Sequence, residues 1–366
     1  MDFTFDESQL AFRDAVRKFL LVEAAPEYLR EIWETERGRS DSLRAKLADQ
    51  GLTAISVPEA YGGLGGNDLD WVLIQQELGY FAIPDSLTAS AYLAPWLLTQ
   101  LADEGLKREW LPNIVKGHAR IALGHPINPL VADARNAGLL LLAHQDEVHA
   151  LTPAQVRLHP NPSIDQSRRL CKVEWTPSAA TRVCEAARGA RLWAGVIDRA
   201  GLAIAAQLLG LAQRMLDLGV DHAAQRKQFG KPIGAFQAVK HHLAEVAVAI
   251  EFAEPVVHRA AYALARGAAH ASIHVSHARL AAGEAAWLAA RKSLQVHGAM
   301  GYTWEADLQM FMKRAWALDA TWGDRAFHKT RIAESILAEG AALGPGQTFD
   351  PGAPRAVESQ RRLAHA

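Results

Sequence analysis

A chain of 366 residues, 49% hydrophobic and 22% charged, has the composition of a globular protein of two or three domains with a sizeable core. A formal net charge of -1 excludes a global basic field of the kind that holds nucleic acid or anionic membrane, so an anionic ligand must be gripped by local Arg, Lys and backbone donors. The two cysteines, Cys171 and Cys184, exclude a secreted-type disulfide framework and are expected as free thiols.

Residues 1–117 are predicted as a helical domain, because Leu10, Phe12, Val16, Phe19 and Leu20 recur near helical spacing. The acidic start Met1–Glu7 has no basic region backed by an apolar run, and no uninterrupted apolar run approaches bilayer-spanning length. A cytoplasmic protein without a membrane span is expected. Pro58 and the glycines between Gly62 and Gly66 break the helices. Their spacing is not that of a dinucleotide loop and no buried strand precedes them, so the loop is expected to close an active-site wall.

Residues 118–186 lose helical periodicity. Short apolar runs such as Gly138–Ala143 alternate with Pro, Asn and Asp, which predicts a small, shortened β domain. Residues 187–342 return to long helices. Leu202, Ala205, Leu209, Ala212, Leu216 and Val220 form one stripe, Val239, Leu243, Val246 and Ile250 a second, and Ile273, Leu280, Trp287 and Leu294 a third; together they predict an antiparallel helical bundle. Residues 343–366, rich in Gly and Pro, cannot hold a helix and are expected as a flexible tail or an arm on a partner.

Three histidines, His270, His274 and His277, fall near one helix face at metal-ligand spacing. A solvated or subunit-facing helix surface is the better explanation, and the chain lacks Glu-x-x-His, His-Glu-x-x-His and Gly-x-Ser-x-Gly, so no di-iron, zincin or hydrolase chemistry is expected. No metal site is predicted.

Two segments carry more information: Arg226-Lys227-Gln228-Phe229-Gly230-Lys231-Pro232-Ile233, and Gln295-Val296-His297-Gly298-Ala299-Met300-Gly301-Tyr302. With Phe5–Gln9, Pro58 and Gly62–Gly65, Trp110-Leu111-Pro112 before Gly117, Gly210–Arg214, Gln237 and Leu243-Ala244-Glu245, they give the chain a resemblance to the acyl-CoA dehydrogenases along nearly its whole length. That resemblance implies a mainly α fold with an N-terminal helical domain, a small β domain and a C-terminal four-helix bundle, assembled as dimers of dimers around FAD. Residues matching Arg226, Gln228 and Phe229 reach across a subunit interface to a neighbour's FAD in the family, and those matching Gln295 and Gly298 line its adenosine end. A guanidinium fork suits pyrophosphate oxygens, and an aromatic face packs on adenine.

The chain departs from the family where the reaction happens. The Thr-Glu and Gly-Ser-Asp that usually hold the flavin are replaced by Ala122-Leu123-Gly124-His125-Pro126-Ile127-Asn128. The usual glutamate position is Trp322, and the alternative helix position is Ala200. An indole has an N–H donor and no basic lone pair, so it cannot take the α-proton of a thioester. Asp198 is rotated by about 200° from Ala200; Asp324 is the nearest carboxylate that could substitute. Such losses resemble the shortened subunits of α2β2 bacterial acyl-CoA dehydrogenases that degrade steroid-like side chains. The expected function is that of a subunit contributing flavin contacts to a homologous acyl-CoA dehydrogenase subunit, in a complex that oxidises an acyl-CoA to its 2,3-enoyl-CoA and passes electrons to an electron-transferring flavoprotein. The alternatives are a self-sufficient homomeric enzyme with a non-standard base, and a catalytically silent structural subunit.

Overall fold

The computed structural model of the chain describes residues 4–341; the expected tail lies outside them. Six helices come first: α1 (Glu7–Glu23), α2 (Pro26–Glu34), α3 (Asp41–Asp49), α4 (Asp68–Tyr80), α5 (Ala94–Gln100) and α6 (Glu104–Val115). Local chemistry sets their starts. Asp6 and Gln9 form a reciprocal capping box on α1, and Asn67 and Asp70 form another on α4, each satisfying two otherwise orphaned backbone donors. A π-helical turn, Thr88–Leu93, leads into α5. The Gly62–Gly66 loop folds back on Ala54–Val57 through backbone hydrogen bonds and delivers the chain to the α4 cap.

Seven strands follow: β1 (Ile121–Gly124), β2 (Val131–Ala132), β3 (Leu139–His144), β4 (Glu147–Leu151), β5 (Arg157–Asn161), β6 (Leu170–Glu174) and β7 (Arg182–Cys184). They form two sheets, ordered β1-β3-β4-β7 and β2-β6-β5. The pairing of β1 with β3 is parallel, Ile121 opposite Leu139; β3 turns directly into β4 through Gln145 and Asp146, both at positive φ, as a two-residue hairpin requires. Ala122, Val131, Leu140, Leu142, Leu151 and Cys171 close a small core between the sheets. Cys171 and Cys184 are free thiols.

The bundle consists of α7 (Ala186–Gln225), a short hairpin of β8 (Lys227–Gln228) and β9 (Lys231–Pro232), then α8 (Gln237–Ala265), α9 (Ala271–His297), α10 (Leu308–Asp319) and α11 (Arg325–Ile336). Helix α7 is the spine, packed on α4, α8, α9 and α10. Its approach to α4 is set by glycine. A Cβ on Gly210 would lie 1.9 Å from the Gln76 carbonyl oxygen, and one on Gly79 would lie 2.2 Å from that of Gln207; no larger residue lets these backbones come so close. By length and composition α7 could cross a bilayer, but 78% of its apolar window is buried inside the fold.

Helix α9 corrects the stripe expected for it. Its buried face is made of Val275, Ala278, Ala282, Ala285, Ala286 and Ala289, while Ile273, Leu280 and Leu294 are half-exposed and Trp287 is 39% exposed. Alanine rather than large side chains brings α9 against α7. On α7 the expected stripe is buried from Leu202 to Leu216 and emerges only at Val220.

Candidate functional site

The turn between α10 and α11 carries the residue that stands where the family glutamate is expected. Trp322 sits at φ +54 and Gly323 at φ +99, two consecutive left-handed residues that reverse the chain. Arg279, 2% exposed on α9, fixes this turn by donating to the carbonyls of Asp319 (2.9 Å), Thr321 (3.4 Å) and Gly323 (3.2 Å). Burial lowers its pKa to about 10, leaving it a cation at neutral pH.

Trp322 and Ala200, the two positions at which the family places a base, line the same cavity of about 130 Å3. The π-helical turn, Ile204 and Gln207 of α7, Leu318 of α10, and Asp133 and Ser167 from the β domain complete its wall. Two carboxylates line it and both are neutralised. Asp133 pairs with Arg39 at 2.7 Å, with both side chains at or below 5% exposure. Asp85 pairs with Arg44 at 2.5 Å and lies 3.7 Å from Arg120. Beside them Arg314 pairs with the buried Asp165 at 2.5 Å and also reaches Ser167. Arg168 donates to the Ala317 carbonyl (3.0 Å) and Thr321 Oγ1 (2.8 Å), and desolvation lowers its pKa to about 10.

Each carboxylate in the wall is thus already engaged by a guanidinium. The cavity is therefore cationic, polar at its walls and without a free base. Its volume is also below the ~300–1,000 Å3 of ordinary ligand pockets, too small for an isoalloxazine ring unless its walls part. Arg39, Arg314, Asp133 and Asp165 were not foreseen from the sequence, since the paired residues lie 94 and 149 positions apart.

Asp324, the nearest carboxylate that could have substituted, is placed elsewhere. It is exposed, accepts the Phe327 N–H at 2.8 Å as the N-cap of α11, and is not among the side chains lining the cavity. Asp198 turns away as expected, accepting from Ser272 (2.7 Å) and pairing with Arg331. A second unforeseen residue is His328, buried behind the Trp322 turn with Nδ1 3.1 Å from Ser276 Oγ. Burial, then the charges of Arg279 and Arg331, lower its pKa to about 3; it is neutral and outside the cavity lining.

The other candidates gather at the far end of the bundle. Arg226 ends α7, and the β8–β9 hairpin follows, with Phe229 and Gly230 at its tip at φ +52 and +78. Arg226 and Gln228 are exposed, and Phe229 is 91% exposed. The ring meets Phe236 edge-on at 6.2 Å, and Lys231 Nζ lies 4.5 Å over the Phe236 ring. Gln295 is exposed near the end of α9, and Gly298 ends that helix at φ +63 with open space where a Cβ would stand. His222 of α7 stacks on His297 of α9 at 4.3 Å, which brings the two motif segments to one end of the bundle. Among the described residues no group of three or more His, Cys, Asp and Glu side chains could hold a metal; His274 lies 3.2 Å from Arg259, and burial lowers its pKa to about 4.

Comparison with known proteins decides the family. The family model for the acyl-CoA dehydrogenase N-terminal domain matches residues 6–118, and that for the C-terminal domain matches residues 187–337. Acyl-CoA dehydrogenase IpdE2 of Mycobacterium tuberculosis is 31% identical over 316 residues, which are 84% of this chain and 91% of that relative. This chain belongs to the acyl-CoA dehydrogenase family.

As a family member it is an FAD-linked oxidoreductase of acyl-CoA thioesters. Acyl-CoA dehydrogenase FadE34 of the same organism is 31% identical over 337 residues, 85% of this chain but only 45% of that relative. Among solved structures, the ChsE4-ChsE5 complex from Mycobacterium tuberculosis has the same fold, with a TM-score of 0.82 at 23% identity over 93% of this chain and 100% of the matched one. The two family-model matches flank residues 119–186, the segment that forms the two small sheets.

Proposed function

We propose that this acyl-CoA dehydrogenase is the base-lacking subunit of a heteromeric enzyme and lends its α7–hairpin end to the FAD of a homologous partner. One observation carries the reading. Both family base positions, Trp322 and Ala200, line one cavity whose only carboxylates are locked in ion pairs, while the hairpin stands free in solvent. FAD, when bound, supplies the hydride acceptor for the acyl Cβ. The partner supplies the proton acceptor and the main flavin pocket. This chain supplies the Arg226 guanidinium for phosphate oxygens, Gln228 as an amide hydrogen-bonding side chain and the Phe229 ring as a stacking face. Gln295 and Gly298 take the adenosine end, where the missing side chain lets a nucleotide approach backbone.

The reading has support from the relatives. The ChsE4-ChsE5 structure contains two differently named chains in one complex. FadE34 is more than twice as long as its match to this chain, which leaves room for a second unit of the same size in one polypeptide. The complex would convert a bulky, steroid-like acyl-CoA to its 2,3-enoyl-CoA and reduce an electron-transferring flavoprotein. Co-expression with a homologous dehydrogenase subunit, followed by purification and absorption spectroscopy, tests this. A mixed tetramer with two flavins is expected. A homotetramer of this chain alone, carrying four flavins and turning over acyl-CoA, would refute it.

A further inference from the structure

Three guanidinium groups line the Trp322 cavity, those of Arg39, Arg168 and Arg314. Two of them are fully engaged. Arg39 pairs with Asp133 and donates to the Gly38 and Ser167 carbonyls. Arg314 pairs with Asp165, reaches Ser167 and donates to the Ala82 and Ile83 carbonyls. The third is different. Arg168 has no carboxylate within ion-pair distance among the described residues, and its two hydrogen bonds, to the Ala317 carbonyl and Thr321 Oγ1, both leave from Nη1.

Its Nε and Nη2 therefore have no partner among the described residues. Neither is sealed in the interior, since Arg168 is half-buried where Arg39 and Arg314 are buried. These two nitrogens form one edge of the guanidinium plane, the pair of parallel N–H donors that a carboxylate takes in a bidentate grip. With Nη1 anchored at the end of α10, the fork is held in place and left unused. Arg168 remains a cation at neutral pH, and a partly desolvated cation gains most from an anion that reaches it.

The rest of the wall specifies what the anion carries. Trp322, Ala200, Ile204, Leu93 and Leu318 are apolar, and the amide nitrogen of Gln207 is committed to Gln75 and Thr88. Phosphate or sulfate would leave most of its oxygens against hydrocarbon, and a neutral apolar solute would leave the fork unpaired. A short carboxylic acid satisfies both demands. A dry cavity of ~150 Å3 takes a benzene-sized molecule, so about 130 Å3 suits an acid of about four or five carbons. The cavity is half-open, and Thr88, Ala89 and Leu318 on its wall are only half-buried, which gives so small a solute a way in.

We propose that the Trp322 cavity binds a free short-chain monocarboxylate, its carboxylate forked on Arg168 and its alkyl group against Trp322, Ala200 and Ile204. The acid carries no thioester, so it is a bound ligand and not a substrate. The site holds whether or not the hairpin serves a partner's FAD.

The test is calorimetric titration of the full chain with acetate, butyrate, octanoate, butyramide and inorganic phosphate. Butyrate is expected to saturate a single site, roughly three- to fourfold tighter for each methylene beyond acetate. Butyramide should bind at least about tenfold more weakly, and octanoate, too long for the cavity, more weakly than butyrate. R168Q should weaken butyrate roughly ten- to hundredfold; R168K, which keeps the charge but not the fork, should restore part of that. Because Arg168 also braces the end of α10, A200L serves as a second variant: it fills the cavity, leaves Arg168 in place and should abolish binding. Four results would overturn the proposal: no saturable butyrate binding at millimolar concentration, butyramide equal to butyrate, phosphate or octanoate tighter than butyrate, or butyrate binding unchanged in A200L. The last would move the anion to the surface groove that Arg168 also lines, beside Asn161 and Pro162.

Discussion

The double variant R226Q/F229A separates a role in flavin holding from a role in folding, because the structure assigns these side chains almost nothing to lose within the subunit. Phe229 is 91% exposed and meets only the edge of Phe236, and Arg226 is exposed at the end of α7. Surface changes of this kind move stability by about 0.5 kcal/mol or less, so the isolated variant should melt with the wild type. Across the interface the balance reverses. Losing charge-assisted hydrogen bonds to phosphate costs about 1.5–3 kcal/mol, and losing an aromatic ring stacked on a base costs about 1–3 kcal/mol. Even the lower figures together weaken flavin binding roughly 50-fold or more. The assay is the flavin-to-protein absorbance ratio of the co-expressed complex after gel filtration and dilution, read beside the melting temperature of the isolated subunit. A variant complex that assembles and retains flavin like the wild type would refute the reasoning.

Three further outcomes are expected. G210A should lower the melting temperature, because its Cβ would lie 1.9 Å from the Gln76 carbonyl oxygen and 2.6 Å from the Tyr80 nitrogen, and parting two packed helices costs about 1–3 kcal/mol or more; an unchanged melting curve would show that the crossing is looser than drawn. D133N should cost about 3 kcal/mol in chemical denaturation, since it strips the buried Arg39 of its counter-charge while leaving that guanidinium its bonds to the Gly38 and Ser167 carbonyls; a loss below about 1 kcal/mol would contradict this reading. His328 should make stability fall with acid: its folded pKa is about 3 against an ordinary 6.5, so above pH 6.5 it is neutral folded or unfolded and its contribution is complete. Below 6.5 the unfolded chain takes the proton first, and stability drops by about 1.4 kcal/mol per pH unit. H328Q should flatten that slope between pH 6.5 and 4; an unaltered slope would assign the acid sensitivity to other groups.

What could be read from the sequence follows from the range of each interaction. The apolar stripe of α7 and the loss of helical period after residue 117 depend on residues a few places apart, and they were legible; the position of Trp322 was legible through the resemblance to the family. The ion pairs around the cavity were not, because Arg314 meets Asp165 and Arg39 meets Asp133 only after three domains have packed. Proximity in sequence also misled. Asp324 stands two residues from Trp322, but its carboxylate is taken by the first turn of α11, a local demand that outweighs any call from the cavity. Large residues misled on α9, where hydropathy picks out Ile273, Leu280 and Trp287 while the close contact is made through alanines. Large apolar side chains left half-exposed mark a face that a further surface can cover.

Helix α7 runs unbroken from the wall of the Trp322 cavity at Ala200 to the root of the hairpin at Arg226, a span of roughly 39 Å at helical rise. The two places therefore share one rigid ruler. One added or deleted residue between them would swing the hairpin by about 100° and shift it by about 1.5 Å, aiming Phe229 away from any ring it had faced. Insertions that preserve the aim come only near whole turns, and each displaces the tip by several ångströms. The count of residues in this stretch thus dictates how far from its own Trp322 cavity the subunit can touch a neighbour.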